Sequence, residues 1–169
     1  MSIIDELNEQ YEIYDAALTL QHNLLIKSLG ALSGGFASYL GLLKAHWHHA
    51  DGKRGDRYVR LGTGAPKSFE EKVWPQLTSV DGIVEFSLAV TLESENATFK
   101  RYTFVFEGEA KFVAEGYEYR FKGIDYPVIL SAEEVESEDF RELYKVLIDQ
   151  LKSNFDPDSV LIKRADAIQ

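Results

Sequence analysis

The chain has 169 residues, no cysteine and a formal net charge of −10. Its length is that of one domain, so we expect residues 1–169 to fold as a single domain around one hydrophobic core. The lack of cysteine excludes disulfides, thiolate metal sites and cysteine nucleophiles, and the negative charge opposes general nucleic-acid binding, because phosphates would be repelled.

The N-terminal segment predicts a long amphipathic helix from about Ile3 to Leu29. Ser2 is suited to the N-cap, and Asp5 follows in the first turn, where a negative charge is favoured. The start of the chain lacks the basic and apolar regions of a signal peptide, so we expect a cytoplasmic protein. Apolar residues recur at spacings of three, four and seven, the pattern of a helix with one apolar face: Ile4, Leu7, Tyr11, Leu18 and Leu25.

An uncharged stretch runs from Ser28 to Leu43. It is shorter than the roughly twenty apolar residues that an ordinary membrane span requires. We therefore expect a pair of buried helices and no membrane insertion. Glycines interrupt the stretch, and the second helix is expected from about Phe36 to His48.

The segment that follows contains three of the four histidines in the chain. If the second helix extends this far, His46 and His49 lie three residues apart on one face and, with Asp51, provide candidate ligands for a divalent ion. The alternative is that these histidines close the C-terminus of a helix, where imidazolium is mildly favoured by the dipole.

The same segment is also a candidate anion site. Basic residues lie in a glycine-bearing loop, where guanidinium groups and backbone N–H groups would meet a phosphate or carboxylate. The competing interpretation is a solvated charged loop on an acidic protein. The candidate anion ligands are Lys53, Arg54, Arg57 and Arg60.

Two short elements are expected before the main sheet. Tyr58 to Leu61 is predicted to form a short strand, which ends at the glycine-rich segment 62–66. Ser68 followed by Glu71 has the spacing of a capping box. It predicts a short helix that would end before Pro75.

Residues 83–121 predict an antiparallel meander. From Val84 to Leu92, apolar and polar residues alternate, as in a strand with one buried and one wet face. Three further runs follow, with Gly108 and Gly116 as expected breaks. The apolar positions change from even to odd across Gly116, which predicts a tight turn or a bulge there.

The C-terminal part predicts an edge strand and a helix. The run from Ile124 to Leu130 contains Pro127, which lacks the backbone N–H that a central strand requires. We therefore expect this run to form an edge strand or an extended segment. The last helix is expected to begin near Ser131 or Ser137, and the tail from Val160 to Gln169 to form a short strand or irregular chain. The helix has one apolar stripe and is expected to end near Asn154: Phe140, Leu143, Leu147 and Leu151.

This order of elements predicts the α+β class: N-terminal helices, a curved antiparallel sheet built on a meander of about four to six strands, and a C-terminal helix. We expect the helices to pack on the concave face of the sheet.

The distribution of charge suggests a function. Residues 1–30 carry five acids and one base, and residues 131–169 carry ten acids and five bases. Acidic helices favour docking on a basic protein, because complementary charge accelerates and selects the encounter. We therefore expect a small acidic binding protein without a cofactor, namely an inhibitor, immunity-type protein or adaptor for a basic and possibly nucleic-acid-handling partner. The expected contact residues are Glu6, Glu9, Glu12, Glu138, Asp139, Glu142 and Asp149.

Two other classes remain open. One is a small-ligand-binding protein or enzyme with a pocket between sheet and helices and the segment 46–60 at its mouth. The other is a self-associating assembly subunit with the stretch from Ser28 to Leu43 as its interface. No nucleophile elbow or other catalytic motif is present to favour an enzyme.

Overall fold

The computed structural model describes residues 2–160, which form four α-helices and nine β-strands. The C-terminal tail was expected to form a short strand or irregular chain. Apart from Val160, this prediction concerns residues 161–169, which lie outside the described residues. The helices are α1 (Ile3–Leu29), α2 (Leu32–Tyr39), α3 (Ala132–Glu136) and α4 (Arg141–Asn154). The strands are β1 (His46–His48), β2 (Arg54–Arg57), β3 (Val59–Thr63), β4 (Glu70–Glu71), β5 (Ser79–Val80), β6 (Ile83–Glu93), β7 (Arg101–Val113), β8 (Gly116–Phe121) and β9 (Val128–Leu130).

Seven of these strands form one antiparallel sheet. Its order is β4-β3-β6-β7-β8-β9, and β5 pairs with the start of β6. Strand β9 lies at the edge and follows Pro127 directly, which agrees with the expected edge position. Strands β1 and β2 form a separate ribbon. The predicted α+β class, with N-terminal helices, an antiparallel sheet and a C-terminal helix, is confirmed.

The hydrophobic core lies between one face of the sheet and the helices. Val84, Phe86, Leu88 and Val90 of β6 are buried, as their alternation predicts. The expected wet face of this strand is wrong at its centre, because Ser87, Ala89 and Thr91 are also buried, and Leu92 is exposed. Helix α4 packs against this face through its predicted stripe. The core residues that the helices contribute include Leu25, Leu29, Leu32, Phe36, Phe140, Leu143, Leu147 and Leu151.

The bounds of α1 and the end of the last helix agree closely with the sequence. Helix α1 spans Ile3–Leu29, and α4 ends at Asn154. The predicted single C-terminal helix is divided in two: the Oγ of Ser131 accepts a hydrogen bond from the backbone N–H of Glu134 at the start of α3, whereas α4, which carries the apolar stripe, begins only at Arg141. The alternative helix start at Ser137 is wrong, because Ser137 is the C-cap of α3.

The predictions for the second helix and for the segment after Ser68 are also wrong. Helix α2 covers Leu32–Tyr39 rather than Phe36 to His48. It is followed by Gly41, whose φ of 77° lies in the left-handed region that favours glycine. The predicted helix after Ser68 is absent, since its Oγ accepts from the backbone N–H of Ala65 and Glu70–Glu71 pairs with β3 as a strand.

Gly108 does not break the meander, which therefore has three strands instead of four runs. It lies within β7 opposite Phe121 of β8. A Cβ atom at this position would come within 2.8 Å of the Phe121 ring and 3.1 Å of the Phe86 ring. Glycine is thus required for ring packing and not for a turn. The predicted tight turn is observed at Gly116, where β8 begins with a φ of 146°.

Candidate partner-binding surface

Helix α1 projects from the domain over most of its length. Every residue from Ser2 to Gln21 is exposed. Packing begins at His22, whose ring stacks on Phe112 with 6.2 Å between the ring centroids. At a rise of 1.5 Å per residue, the exposed part of α1, residues 3–21, is about 28 Å long. The buried residues of the helix are Leu25, Ile26 and Leu29.

The projecting end of α1 is closed by a capping box. The backbone N–H of Asp5 donates to Ser2 Oγ over 3.3 Å, and Asp5 Oδ2 accepts from the Ser2 backbone N–H over 3.0 Å. The Ser2 hydroxyl also donates to Asp5 Oδ2 over 2.6 Å, and this bond, together with the one from the Ser2 backbone N–H, holds the pKa of Asp5 below its usual value. The first turn of the helix is therefore stabilised although it packs on nothing.

The exposed part of α1 is strongly acidic. The predicted contact residues Glu6, Glu9 and Glu12 are exposed. None of them has a basic side chain within 4.0 Å in the described part of the chain. Asp5 and Asp15 add two more carboxylates, and the first basic residue of the helix is Lys27. These carboxylates are available to a basic partner.

An apolar stripe also lies exposed along α1. Its members follow the alternating spacing of three and four that defines the a and d positions of a coiled coil. We call this set the α1 seam: Ile4, Leu7, Tyr11, Tyr14 and Leu18, between 38 % and 66 % exposed. The periodicity of the sequence indicates most of these residues but predicts an ordinary packing face. The alternating spacing of three and four, which includes Tyr14, is the feature of the sequence that indicates a coiled-coil seam.

The acidic residues near α4 are partly neutralised within the domain. Asp139 accepts two hydrogen bonds from Arg141, at 2.8 and 2.9 Å, and these hold its pKa below the usual value. Glu142 forms an ion pair with Lys145 at 2.9 Å. Glu138 and Asp149 are exposed. Of the two predicted acidic surfaces, α1 is therefore the less neutralised.

The four candidate anion ligands do not share one loop. Lys53 lies before β2 and Arg60 within β3. Arg60 is 3.6 Å from Asp56 and stacks on the ring of Phe69, with 5.1 Å from guanidinium carbon to ring centroid. Lys53 lies 4.0 Å from Asp51. Arg54 and Arg57 are the exposed cations of the ribbon.

The candidate metal ligands do not lie on a helix. His46 belongs to β1, and its Nδ1 is 3.2 Å from the carbonyl oxygen of Gly55. Asp51 Oδ1 accepts from the backbone N–H of Lys53, as in a turn. The helical argument for pairing His46 with His49 therefore no longer applies. Within residues 2–160, no three His, Asp or Glu side chains form a group that could hold a metal ion.

A groove of about 840 Å³ is lined by residues of β6, β7 and β8 and of the segments beside them. Its cations already have acidic neighbours: Lys122 is 3.7 Å from Glu107 and Arg120 is 3.1 Å from Glu118. Glu85 and Glu109 face each other across β6 and β7. Both cations that line this groove among the described residues are therefore paired with acids, which leaves no free cation there for an anionic ligand.

None of the described helices has an apolar stretch long enough to cross a membrane. Comparisons of the chain with family models, curated proteins and solved structures find no match in any of the three.

Proposed function

We propose that this protein is a small binding protein of the cytoplasm that docks on a basic protein partner through helix α1, as an inhibitor, an immunity-type protein or an adaptor. The observation that carries the proposal is the exposed part of α1, which presents Glu6, Glu9 and Glu12 without a basic neighbour among the described residues.

The spacing of these acids supports a role in binding. Glu6, Glu9 and Glu12 succeed one another at intervals of three, so neighbouring carboxylates lie on adjacent turns. Such like-charge pairs destabilise a helix by about 0.2–0.5 kcal/mol each. A basic partner removes this repulsion on docking, and its charge also accelerates the encounter. At physiological salt the attraction acts over about 8 Å, so it operates in a docked encounter.

The partner chemistry follows from the same surface. A projecting helix about 28 Å long enters a groove more readily than it covers a flat face. A basic groove is typical of enzymes that hold nucleic acid, since such grooves compensate phosphate charge. A bound α1 would occupy that groove in place of the nucleic acid. This makes a nucleic-acid-handling enzyme or toxin the preferred partner class.

The proposal is tested by recovering the partner from the native host with the intact chain and measuring its affinity for variants. Reversal of three acids on α1, Glu6→Lys with Glu9→Lys and Glu12→Lys, should weaken binding strongly while the thermal unfolding temperature changes little. The matched control reverses three exposed acids elsewhere, Glu71→Lys with Glu115→Lys and Asp125→Lys. It changes the net charge equally and should leave binding nearly intact.

Equal weakening by both triple variants would show that only total charge matters and would contradict docking through α1. A separate variant, Glu142→Lys with Asp149→Lys, examines the second acidic surface. If that variant lost binding while the α1 reversal had no effect on binding, the docking surface would lie on α4 instead of α1.

A further inference from the structure

Docking through the acids of α1 does not explain why the apolar α1 seam is exposed. Its five apolar side chains protrude from the domain, and no residue between Ser2 and Gln21 is buried. Most of the stability of a helix in water comes from packing of its apolar face. Apolar surface on this scale marks an interaction site. The exposed part of α1 therefore calls for a structural partner along the seam.

We propose that the α1 seam pairs with the same seam on a second copy of this chain, and that the two helices run antiparallel as a short coiled coil. The spacing of the seam carries the first step. Ile4, Leu7, Tyr11, Tyr14 and Leu18 occupy successive a and d positions, and a repeat of 3.5 residues keeps such positions against a facing helix.

The residues that flank the seam permit a second acidic chain to approach. In a coiled coil the e and g positions lie beside the seam and face the partner helix. Among those of the exposed part, Ile3, Asn8, Gln10, Asp15 and Ala17, only Asp15 is charged. The other acids, Asp5, Glu6, Glu9 and Glu12, fall at b, c and f positions, away from the second helix. Self-pairing thus brings few carboxylates together.

The domain itself determines the direction. Leu25 and Leu29 continue the seam at spacings of seven and four, and both are completely buried against the core. A parallel second helix would place its own Leu25 beside that of the first copy, where the domain already covers the stripe. An antiparallel helix ends before this point, because its N-terminus lies beside Gln21. The exposed length therefore favours the antiparallel pair.

The antiparallel pair has a definite register. Layers that join an a position to a d position place Leu7 against Leu18 of the second copy and Tyr11 against Tyr14 of the second copy. Asp15 then lies beside Asn8 of the second copy, so its carboxylate meets an amide instead of another acid. The acids at the b, c and f positions remain on the outside of the pair, where the proposed basic partner would dock.

Sedimentation equilibrium of the whole chain, taken up to millimolar concentration, provides the first measurement. We expect a reversible monomer–dimer equilibrium. The variant Leu7→Asp with Leu18→Asp should remain monomeric, because it places charge within the seam. The matched control, Ala16→Asp with Asn23→Asp, adds the same charge at two exposed f positions and should still dimerise. Monomer at every concentration of the unchanged chain would overturn the proposal.

Disulfide trapping tests the direction, and the chain offers a clean background because it has no cysteine. A mixture of Leu7→Cys chains with Leu18→Cys chains should form a mixed disulfide, because the two Cα atoms of such a layer lie at disulfide distance. Each variant by itself should cross-link poorly. Efficient cross-linking of either variant with itself would indicate a parallel pair and would overturn the antiparallel arrangement.

Two further results separate this proposal from its alternatives. Added salt should strengthen self-association, since it screens the repulsion of two acidic chains, whereas docking on a basic partner should weaken with salt. The two proposals can therefore fail independently. A chain shortened after Val160 should dimerise as the full chain does. Dimerisation seen only after this shortening would identify residues 161–169 as the occupant of the seam and would overturn pairing with a second copy.

Discussion

At the scale of single residues, close packing of rings restricts the sheet more tightly than turn formation does. Gly108 lies within β7, where the rings of Phe86 and Phe121 leave no room for a Cβ atom. Gly34 offers the contrast, since it lies within α2 and nothing stands within 4 Å of an added Cβ atom. The sequence does not indicate which of these two glycines tolerates a side chain. Only the packing in the fold distinguishes them.

We therefore expect Gly108→Ala to lower the free energy of unfolding by about 1–3 kcal/mol, because the methyl group displaces the Phe121 ring. Gly34→Ala should raise it by up to about 1 kcal/mol, because alanine is the better helix former. Chemical denaturation of both variants measures the difference. Equal effects would contradict the packing of β7 against β8.

Two buried tyrosines make stability sensitive to alkaline pH. Burial raises the pKa of both Tyr119 and Tyr144 above the ordinary value. In the unfolded chain these hydroxyls ionise near their ordinary pKa of about 10. Below that pH the two tyrosines therefore make their full contribution to the stability of the folded state. It is lost as the pH rises further. The free energy of unfolding should thus begin to fall near pH 10 and should continue to fall as the pH rises towards the raised pKa values of the folded state.

The variant Tyr119→Phe separates this effect from general alkaline denaturation. The Tyr119 hydroxyl is buried without a hydrogen-bond partner in the described part of the chain. Its removal should raise stability by up to about 1 kcal/mol near neutral pH and should reduce the alkaline loss. An unchanged pH profile would show that Tyr119 does not contribute to it.

At the scale of elements, the sequence predicted regular structure well where a pattern repeats. The alternation along β6 and the stripe of α4 each contain four buried apolar residues, and both elements are observed. The ribbon of β1 and β2 was missed because three or four residues carry no period. It is held by distant contacts, such as the Arg101 guanidinium donating to the backbone carbonyl of His48 over 2.8 Å. Such contacts leave no local signal.

The sequence also predicts only part of the candidate partner-binding surface. Periodicity predicted the bounds of α1 and the exposure of Glu6, Glu9 and Glu12, yet it could not show whether the apolar stripe was covered. Covered and exposed stripes have the same spacing, and the difference arises from where the domain ends beside His22.

Substitutions in the two helices measure this difference. Leu147→Ala in α4 should cost about 2–5 kcal/mol, because it removes a completely buried side chain. Leu7→Ala in α1 should change the stability of the monomer by less than about 0.5 kcal/mol. Both are measured by denaturation at a chain concentration low enough to keep α1 unpaired. A large loss for Leu7→Ala would mean that the seam packs on its own domain.

At the scale of the whole molecule, helix α1 and the ribbon of β1 and β2 contact opposite ends of strand β7. Helix α1 lies at the end marked by Phe112, whereas the ribbon of β1 and β2 contacts Arg101 at the other end. No ion pair joins Glu6, Glu9 or Glu12 to a cation of the ribbon within the described residues. The proposed docking on a second protein requires these acids to stay unpaired in the free chain.

The most direct test of this account is the association rate of the recovered partner with the chain, measured at several salt concentrations. The unchanged chain should associate rapidly at low salt and more slowly as salt rises, since screening removes the attraction. The variant Glu6→Lys with Glu9→Lys and Glu12→Lys should associate slowly and with little salt dependence. Identical rates and identical salt dependence for the two chains would contradict docking through α1.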